Sequence, residues 1–180
     1  STAGRYDAKK FLHVQSEHLR MLTDEEIASG TVPFLEKLGV EVETKDPVLL
    51  KSIPYVRPRA STFVEVADAV VYFFRDIELE EKGKRKFLVP DNAANLRALA
   101  DVVQTIDPFD AERLEPAAKT WMEANELPMK AVAQPARVAM TGRTRSPGLF
   151  EVMEVLGRTR TVDRLRAGAD IADANAPAST

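Results

Sequence analysis

Residues 146–157 read Ser-Pro-Gly-Leu-Phe-Glu-Val-Met-Glu-Val-Leu-Gly, and six of them are large and apolar. Ser146-Pro147 is a helix start signal, and Gly157 is a stop signal. A helix with apolar side chains around most of its circumference is normally buried in a core. This stretch therefore predicts a helix at the centre of a core formed by the second half of the chain.

Further start and stop signals predict helices along most of the remaining sequence, and strand signals are almost absent. Thr23-Asp24-Glu25-Glu26 has the pattern of a capping box, and Gly39 marks the expected end of that helix. Asp46-Pro47 begins another helix, after which Pro54 and Pro58 predict a bend. The fold class predicted from these signals is all-α.

The mostly charged residues 78–86 predict a connector between two small helical lobes, residues 1–86 and residues 87–168. In the second lobe, a helix from Pro128 to Met140 is expected to break at Pro135, and Gly142 marks its expected end. The alanine-rich residues 169–180 carry few core side chains and predict a flexible tail.

The composition excludes several classes of protein and site. The chain has 180 residues, of which 44% are hydrophobic and 29% charged, as in a soluble globular protein. It has no cysteine, and its two histidines are five residues apart, a spacing that does not place two metal ligands on one helix face. No phosphate-binding glycine loop and no apolar run of ~18 residues is present. We therefore expect a cytoplasmic protein without membrane contact, metal site or catalytic residue.

Charge is distributed unevenly along the chain. The net charge is −3, whereas residues 128–168 contain eight basic and three acidic residues and so carry +5. The basic residues of this segment are Lys130, Arg137, Arg143, Arg145, Arg158, Arg160, Arg164 and Arg166. A cationic segment on an otherwise acidic chain favours a polyanionic partner such as a nucleic acid.

Three of these arginines, Arg137, Arg143 and Arg145, lie within nine residues beside the predicted start of a helix. The unpaired amides and the dipole of a helix N-terminus favour an anion there. Pro147 and Leu149 are apolar neighbours on which an unstacked RNA base could pack. The same residues equally fit a plain N-cap on a buried helix with an arginine lying over it, and the residues alone leave both interpretations open.

Longer segments carry a resemblance to a known family. They are Val-Ala-Gln-Pro-Ala-Arg-Val-Ala-Met-Thr-Gly-Arg-Thr at 132–144, Ser-Pro-Gly-Leu-Phe-Glu-Val at 146–152 and Leu-Gly-Arg-Thr-Arg-Thr at 156–161, with Tyr-Asp-Ala-Lys-Lys at 6–10 and Val-Arg-Pro-Arg at 56–59. Over roughly residues 6–167 the chain resembles the C-terminal anticodon-binding region of bacterial-type glutamyl-tRNA synthetases. It departs from the family at residues 13–16, His-Val-Gln-Ser, where Trp-Leu-Asn-Gly is common.

The resemblance implies two helical domains of the helical-bundle and α-helix-cage kind, acting as a monomer that binds the glutamate tRNA. The catalytic HIGH and KMSKS motifs of the family are absent from this sequence. ATP and Mg²⁺ are therefore expected only in a missing catalytic domain, and this chain alone is expected to be inactive as a ligase.

The resemblance also implies roles for individual residues. Arg59 matches the arginine that, in discriminating members, hydrogen-bonds the third anticodon base. The positions that match contacts to the first two anticodon bases are Gln134, Arg137, Ser146, Pro147 and Leu149. Charge alone adds three candidates for phosphate contacts, Arg57, Arg143 and Arg145.

Two other classes of function compete with RNA reading. A helical protein-interaction module derived from the same ancestor would use its basic face to bind an acidic protein. An independent enzyme would require amino-acid-dependent pyrophosphate exchange, and we expect none.

Overall fold

A computed structural model describes Lys10 and residues 15–175 of the chain. The chain divides into two compact units, Ser1–Arg75 and Asp76–Thr180. The regular secondary structure of the described residues is helical, which confirms the all-α prediction. Within those residues, every helix is too short or too polar to cross a membrane. The predicted motif residues 6–9 and the end of the predicted tail, residues 176–180, lie outside the described ranges.

The first unit contains three labelled α-helices after a helical stretch over residues 15–21. They are α1 (Asp24–Lys37), α2 (Pro47–Val56) and α3 (Phe63–Val70), with 3₁₀ turns at Arg57–Arg59 and Val71–Phe73. The capping box at the start of α1 is confirmed, because the Thr23 hydroxyl accepts from the amide of Glu26 and the Glu26 carboxylate accepts from the amide of Thr23.

The bend predicted from Pro54 begins later than expected. Helix α2 runs through Pro54 to Val56 before the 3₁₀ turn follows. A proline inside a helix removes one hydrogen bond and crowds the preceding turn. Here Leu49, Ile53 and Val56 are all buried, and this packing keeps the helix continuous.

The second unit contains the remaining α-helices of the described residues. They are α4 (Glu81–Phe87), α5 (Pro90–Gln104), α6 (Ala111–Ala124), α7 (Met129–Thr141), α8 (Leu149–Leu156) and α9 (Arg158–Ala174). All six large apolar side chains of α8 are buried, which confirms the helix predicted at the centre of this core. The helix itself begins after Gly148, two residues later than the Ser146-Pro147 signal predicts.

Two predictions for the second unit are wrong. Helix α7 continues through Pro135, which is itself buried, because the apolar side chains on both sides of it, Val132 and Val138, pack into the core. The connector predicted at residues 78–86 instead contains the start of α4, and it lies within the second unit rather than between the two.

The predicted tail is also wrong in its first part. Helix α9 continues to Ala174, and Ala169 and Ala172 are buried. Small side chains allow close helix packing: a methyl group added at Gly168 would lie 2.5 Å from the Cβ of Ala139 in α7. The alanines that predicted a tail therefore form a contact surface between helices.

Two arginines link α9 to α5 on the exposed side of this pair. Arg97 donates to Asp170 and Asp173 at 2.8 and 2.6 Å, and these hydrogen bonds, that to Asp173 foremost, raise the pKa of Arg97. Arg166 donates to Asp101 at 3.1 Å. Exposed ion pairs of this kind contribute little stability individually. Packing of the small residues is the stronger constraint on α9.

We expect Gly168→Ala to destabilise the second unit by about 1–3 kcal/mol, because the new methyl group overlaps Ala139 in a packed core. Ala139→Gly alone should cost about 1 kcal/mol through lower helix propensity. The double variant should be at least about 1 kcal/mol more stable than the sum of the two single effects predicts. Native-state hydrogen exchange of amides in α7 and α9 measures these changes. Strict additivity would show that the two residues do not constrain each other.

Candidate nucleic-acid interface

The loop between α7 and α8, residues 142–148, is anchored at its first residue. Gly142 ends α7 with φ +78°, and a methyl group there would overlap the carbonyl oxygen of Glu78. The carbonyl of Gly142 accepts a hydrogen bond from the amide of Glu80 at 2.8 Å. A positive φ and this close approach both require glycine. The predicted helix end at Gly142 is thereby also the point where the loop joins residues 78–80.

The next residues of the loop are held by hydroxyl and carboxylate groups. The buried Thr141 hydroxyl accepts from the amide of Arg143 at 3.1 Å, and the Glu80 carboxylate accepts from the amide and hydroxyl of Thr144 at 3.4 Å each. Arg143 is half-buried, and Arg145 is exposed. Of the arginines predicted to bind phosphate in this loop, Arg145 is the more accessible.

Arg137 is bonded to the loop itself. Its guanidinium donates to the hydroxyl of Ser146 and, at 2.7 Å, to the carbonyl of Pro147. The Ser146 hydroxyl in turn donates to the same carbonyl at 2.8 Å. Three residues predicted to contact bases are thus brought together, and they bind one another. This geometry corresponds to the second interpretation, in which an arginine lies over the start of a buried helix.

The start of α8 is capped by its own carboxylate. The amide of Gly148 donates to Glu151 at 3.1 Å, so an anion at this helix start would have to displace Glu151. Pro147 is buried and Leu149 is only 6% exposed. The structure therefore gives no support to the anion site predicted here, and it leaves little of either side chain for stacking with a base.

A groove runs beside this helix start, between residues of α6, α7 and α8. Its lining combines apolar side chains with one guanidinium and three carboxylates: Met129, Ala133, Arg137, Leu149, Phe150, Glu112, Glu115 and Glu151. This charge repels phosphate, but carboxylate oxygens accept hydrogen bonds from the N–H groups of nucleobases. Sequence reasoning missed Met129 and Glu112; an apolar residue at the first position of a helix was the available signal for Met129.

Gln134 lies on α7, almost one turn before Arg137. Its side-chain oxygen is buried and has no hydrogen-bond partner among the described residues. A buried acceptor without a partner costs about 1–3 kcal/mol. A ligand N–H group would satisfy this acceptor only after the Gln134 side chain turns toward solvent, because the oxygen is buried in this structure.

Three other arginines of the cationic segment donate to backbone carbonyl groups within the second unit. Arg158 donates to the carbonyl of Ile106 at 2.6 Å, Arg160 to that of Leu156 at 2.9 Å and Arg164 to that of Met140 at 2.8 Å. These bonds satisfy carbonyls near helix ends. The net charge of +5 on residues 128–168 therefore does not translate into one cationic surface, because these three guanidinium groups are bonded to carbonyls.

In the first unit, Arg57 and Arg59 differ in exposure: Arg57 is half-buried and Arg59 is exposed. Arg57 donates to Asp24 at 2.7 Å and to the carbonyls of Leu19 and Leu22 at 3.2 and 2.8 Å. It joins the end of the helical stretch 15–21 to α1, and a phosphate would have to compete with Asp24 for it. Arg59 ends the 3₁₀ turn and is exposed.

Comparison with known proteins places these residues in a family. A family model described as an anticodon binding domain matches residues 15–169. The chain belongs to the anticodon binding domain family. The glutamate–tRNA ligase of Desulfosudis oleivorans is 36% identical to it over 166 residues, which are 92% of this chain and 35% of that relative. The glutamate–tRNA ligase of Moorella thermoacetica is 38% identical over 173 residues, which are 93% of this chain and 35% of that relative.

A solved structure agrees with these sequence relatives. The glutamate tRNA ligase of Elizabethkingia meningosepticum, in complex with its amino acid, superposes with a TM-score of 0.80 at 26% identity. The match covers 91% of this anticodon binding domain chain and 32% of the ligase. The chain thus spans about a third of the length of the relatives it matches.

The role of Arg137 in this anticodon binding domain is testable without RNA. We expect Arg137→Met to lower the stability of the loop against opening by about 1–3 kcal/mol, because it removes charged donors from Ser146 and Pro147. Arg145→Met is the matched control, and it should change stability by less than about 0.5 kcal/mol because Arg145 is exposed. Hydrogen exchange of amides 142–152 measures both. Equal effects of the two substitutions would contradict the anchoring role.

Proposed function

We propose that this chain reads the anticodon of the glutamate tRNA as part of a glutamate–tRNA ligase. The match of the anticodon binding domain model to residues 15–169 carries the proposal, and the names of the relatives supply the amino acid. The chain acts as a monomer in the cytoplasm and supplies recognition. It contributes no catalytic residue, cofactor or metal, since ATP and Mg²⁺ belong to the catalytic domain of such a ligase.

In the second unit, we assign base recognition to the groove and to Gln134. The groove carries carboxylates and apolar side chains, which suit the neutral face and N–H edge of an unstacked base. The buried oxygen of Gln134 lacks a partner, and it accepts one such N–H group once the side chain turns toward solvent. Arg137 acts here by fixing Ser146 and Pro147, so it positions the loop and contacts RNA only secondarily.

In the first unit, we assign the third anticodon base to Arg59. Its exposed guanidinium offers several donors in a fixed plane, which match the acceptor edge of a cytosine. Glutamate and glutamine anticodons differ at this base, cytosine in one and guanine in the other. A residue that favours cytosine therefore separates the two tRNAs.

Binding to two RNA stem-loops tests the proposal directly. They share one sequence except for the anticodon, CUC in one and CUG in the other. Fluorescence anisotropy should show tighter binding to CUC and a steep loss of affinity with salt. Equal binding to both, or no RNA binding, would overturn anticodon reading and favour a protein-interaction module.

The contribution of Arg59 is measurable in the same assay. Arg59→Gln should reduce the discrimination between CUC and CUG by about 1–3 kcal/mol, the size of a base-edge contact. Arg145→Gln is the charge-matched control and should weaken both RNAs to the same degree, as a phosphate contact does. Unchanged discrimination in Arg59→Gln would remove Arg59 from the recognition site.

A further inference from the structure

Helix α4 carries a concentration of positive charge that lies outside residues 128–168. Its sequence, Glu-Lys-Gly-Lys-Arg-Lys-Phe, places four basic residues in seven positions. Lys82, Arg85 and Lys86 are exposed, and Lys84 is half-buried. None of the four forms an ion pair with a carboxylate among the residues described, although Lys86 lies over the ring of Phe87.

The position of α4 is fixed by its one glycine. Gly83 is buried, and a methyl group there would lie 3.2 Å from Thr144 and 3.3 Å from Val138. This face of α4 therefore packs on α7 and on the loop that follows it. Lys82, Arg85 and Lys86 are exposed around the rest of the helix, and Arg85 lies roughly opposite Gly83.

The two acidic residues at the start of α4 form no ion pair with its basic residues among the residues described. Glu80 accepts from the amide and hydroxyl of Thr144, and Glu81 lies one turn before Arg85 without pairing with it. Arg143 and Arg145 flank Thr144, the loop residue that lies against Gly83. The loop therefore adds two positive charges beside α4. Together they define a cationic surface made of α4 and residues 143–145.

We propose that this cationic surface binds the phosphate backbone of the RNA whose anticodon the chain reads. The inference rests on the proposed function and extends it to the surface that supplies the electrostatic affinity for RNA. Flexible, strongly hydrated lysines suit phosphates, which they contact as point charges without reading sequence. The groove beside α8 is lined by carboxylates and cannot supply this attraction. Base recognition and phosphate attraction are thereby separated onto different parts of one unit.

A charge-matched pair of double variants tests the proposal in the full chain. Lys82→Gln/Arg85→Gln removes two charges from α4, and Lys119→Gln/Arg113→Gln removes the same two residue types from α6. In α6 these residues pair with Glu115 and Asp110. The CUC and CUG stem-loops serve as probes across a salt series, and circular dichroism confirms that both variants are folded.

The α4 double variant should bind both stem-loops about tenfold more weakly at ~0.1 M salt, with the slope of log affinity against log salt reduced by about 1.5. The α6 double variant should bind within about twofold of the parent. Equal weakening by both double variants would show that only net charge matters. Binding of the α4 variant as tight as that of the parent would show that this surface does not contact RNA. Either result overturns the proposal.

Failure of the proposed function gives a different pattern. If the parent chain binds both stem-loops equally but loses affinity with the α4 substitutions, the phosphate surface stands and anticodon reading does not. If the parent discriminates CUC from CUG while the α4 variant binds like the parent, the proposed function stands and the cationic surface does not.

Discussion

Short helices leave their last carbonyl groups without partners, and in this chain donors from distant side chains satisfy them. Arg57 binds the carbonyl of Leu22, Arg75 binds that of Leu38 at 2.8 Å, and Arg164 binds that of Met140. Asn175 does the same for Leu88 at 2.9 Å. Each bond joins the end of one helix to another element of the same unit. These bonds therefore help to fix how the helices of each unit are arranged.

This constraint explains why charge along the sequence was a poor guide to which arginines face solvent. Arg158 and its acceptor Ile106 are 52 residues apart, and Arg164 and Met140 are 24 apart. Nothing local in the sequence distinguishes an arginine that binds a buried helix end from one that faces solvent. The basic run of α4 looked like a solvated connector, yet one face of it packs on α7 and leaves the charges outside.

Elements set by local chemistry were predictable, and those set by burial were not. The capping box at Thr23, the N-cap at Asp46 and the glycine end at Gly142 depend on neighbouring residues, and all are confirmed. Pro54 and Pro135 were expected to interrupt helices, but tertiary packing outweighs their local cost. Likewise, the alanines after Gly168 form helix contacts only because a partner helix is present.

In the candidate site, too, the sequence indicates which residues come together but not which of their polar atoms find a partner. The sequence placed Gln134, Arg137 and Ser146 together, and the structure brings Arg137 and Ser146 into contact. Arg137 donates to Ser146 and Pro147 within the loop, whereas the oxygen of Gln134, almost one turn away, is left without a partner among the described residues. Specificity arises where a buried polar group gains its hydrogen bond only from the correct ligand. On that argument, the role that we propose for Gln134 is discrimination between bases, and the role that we propose for Arg137 is to hold the neighbouring loop.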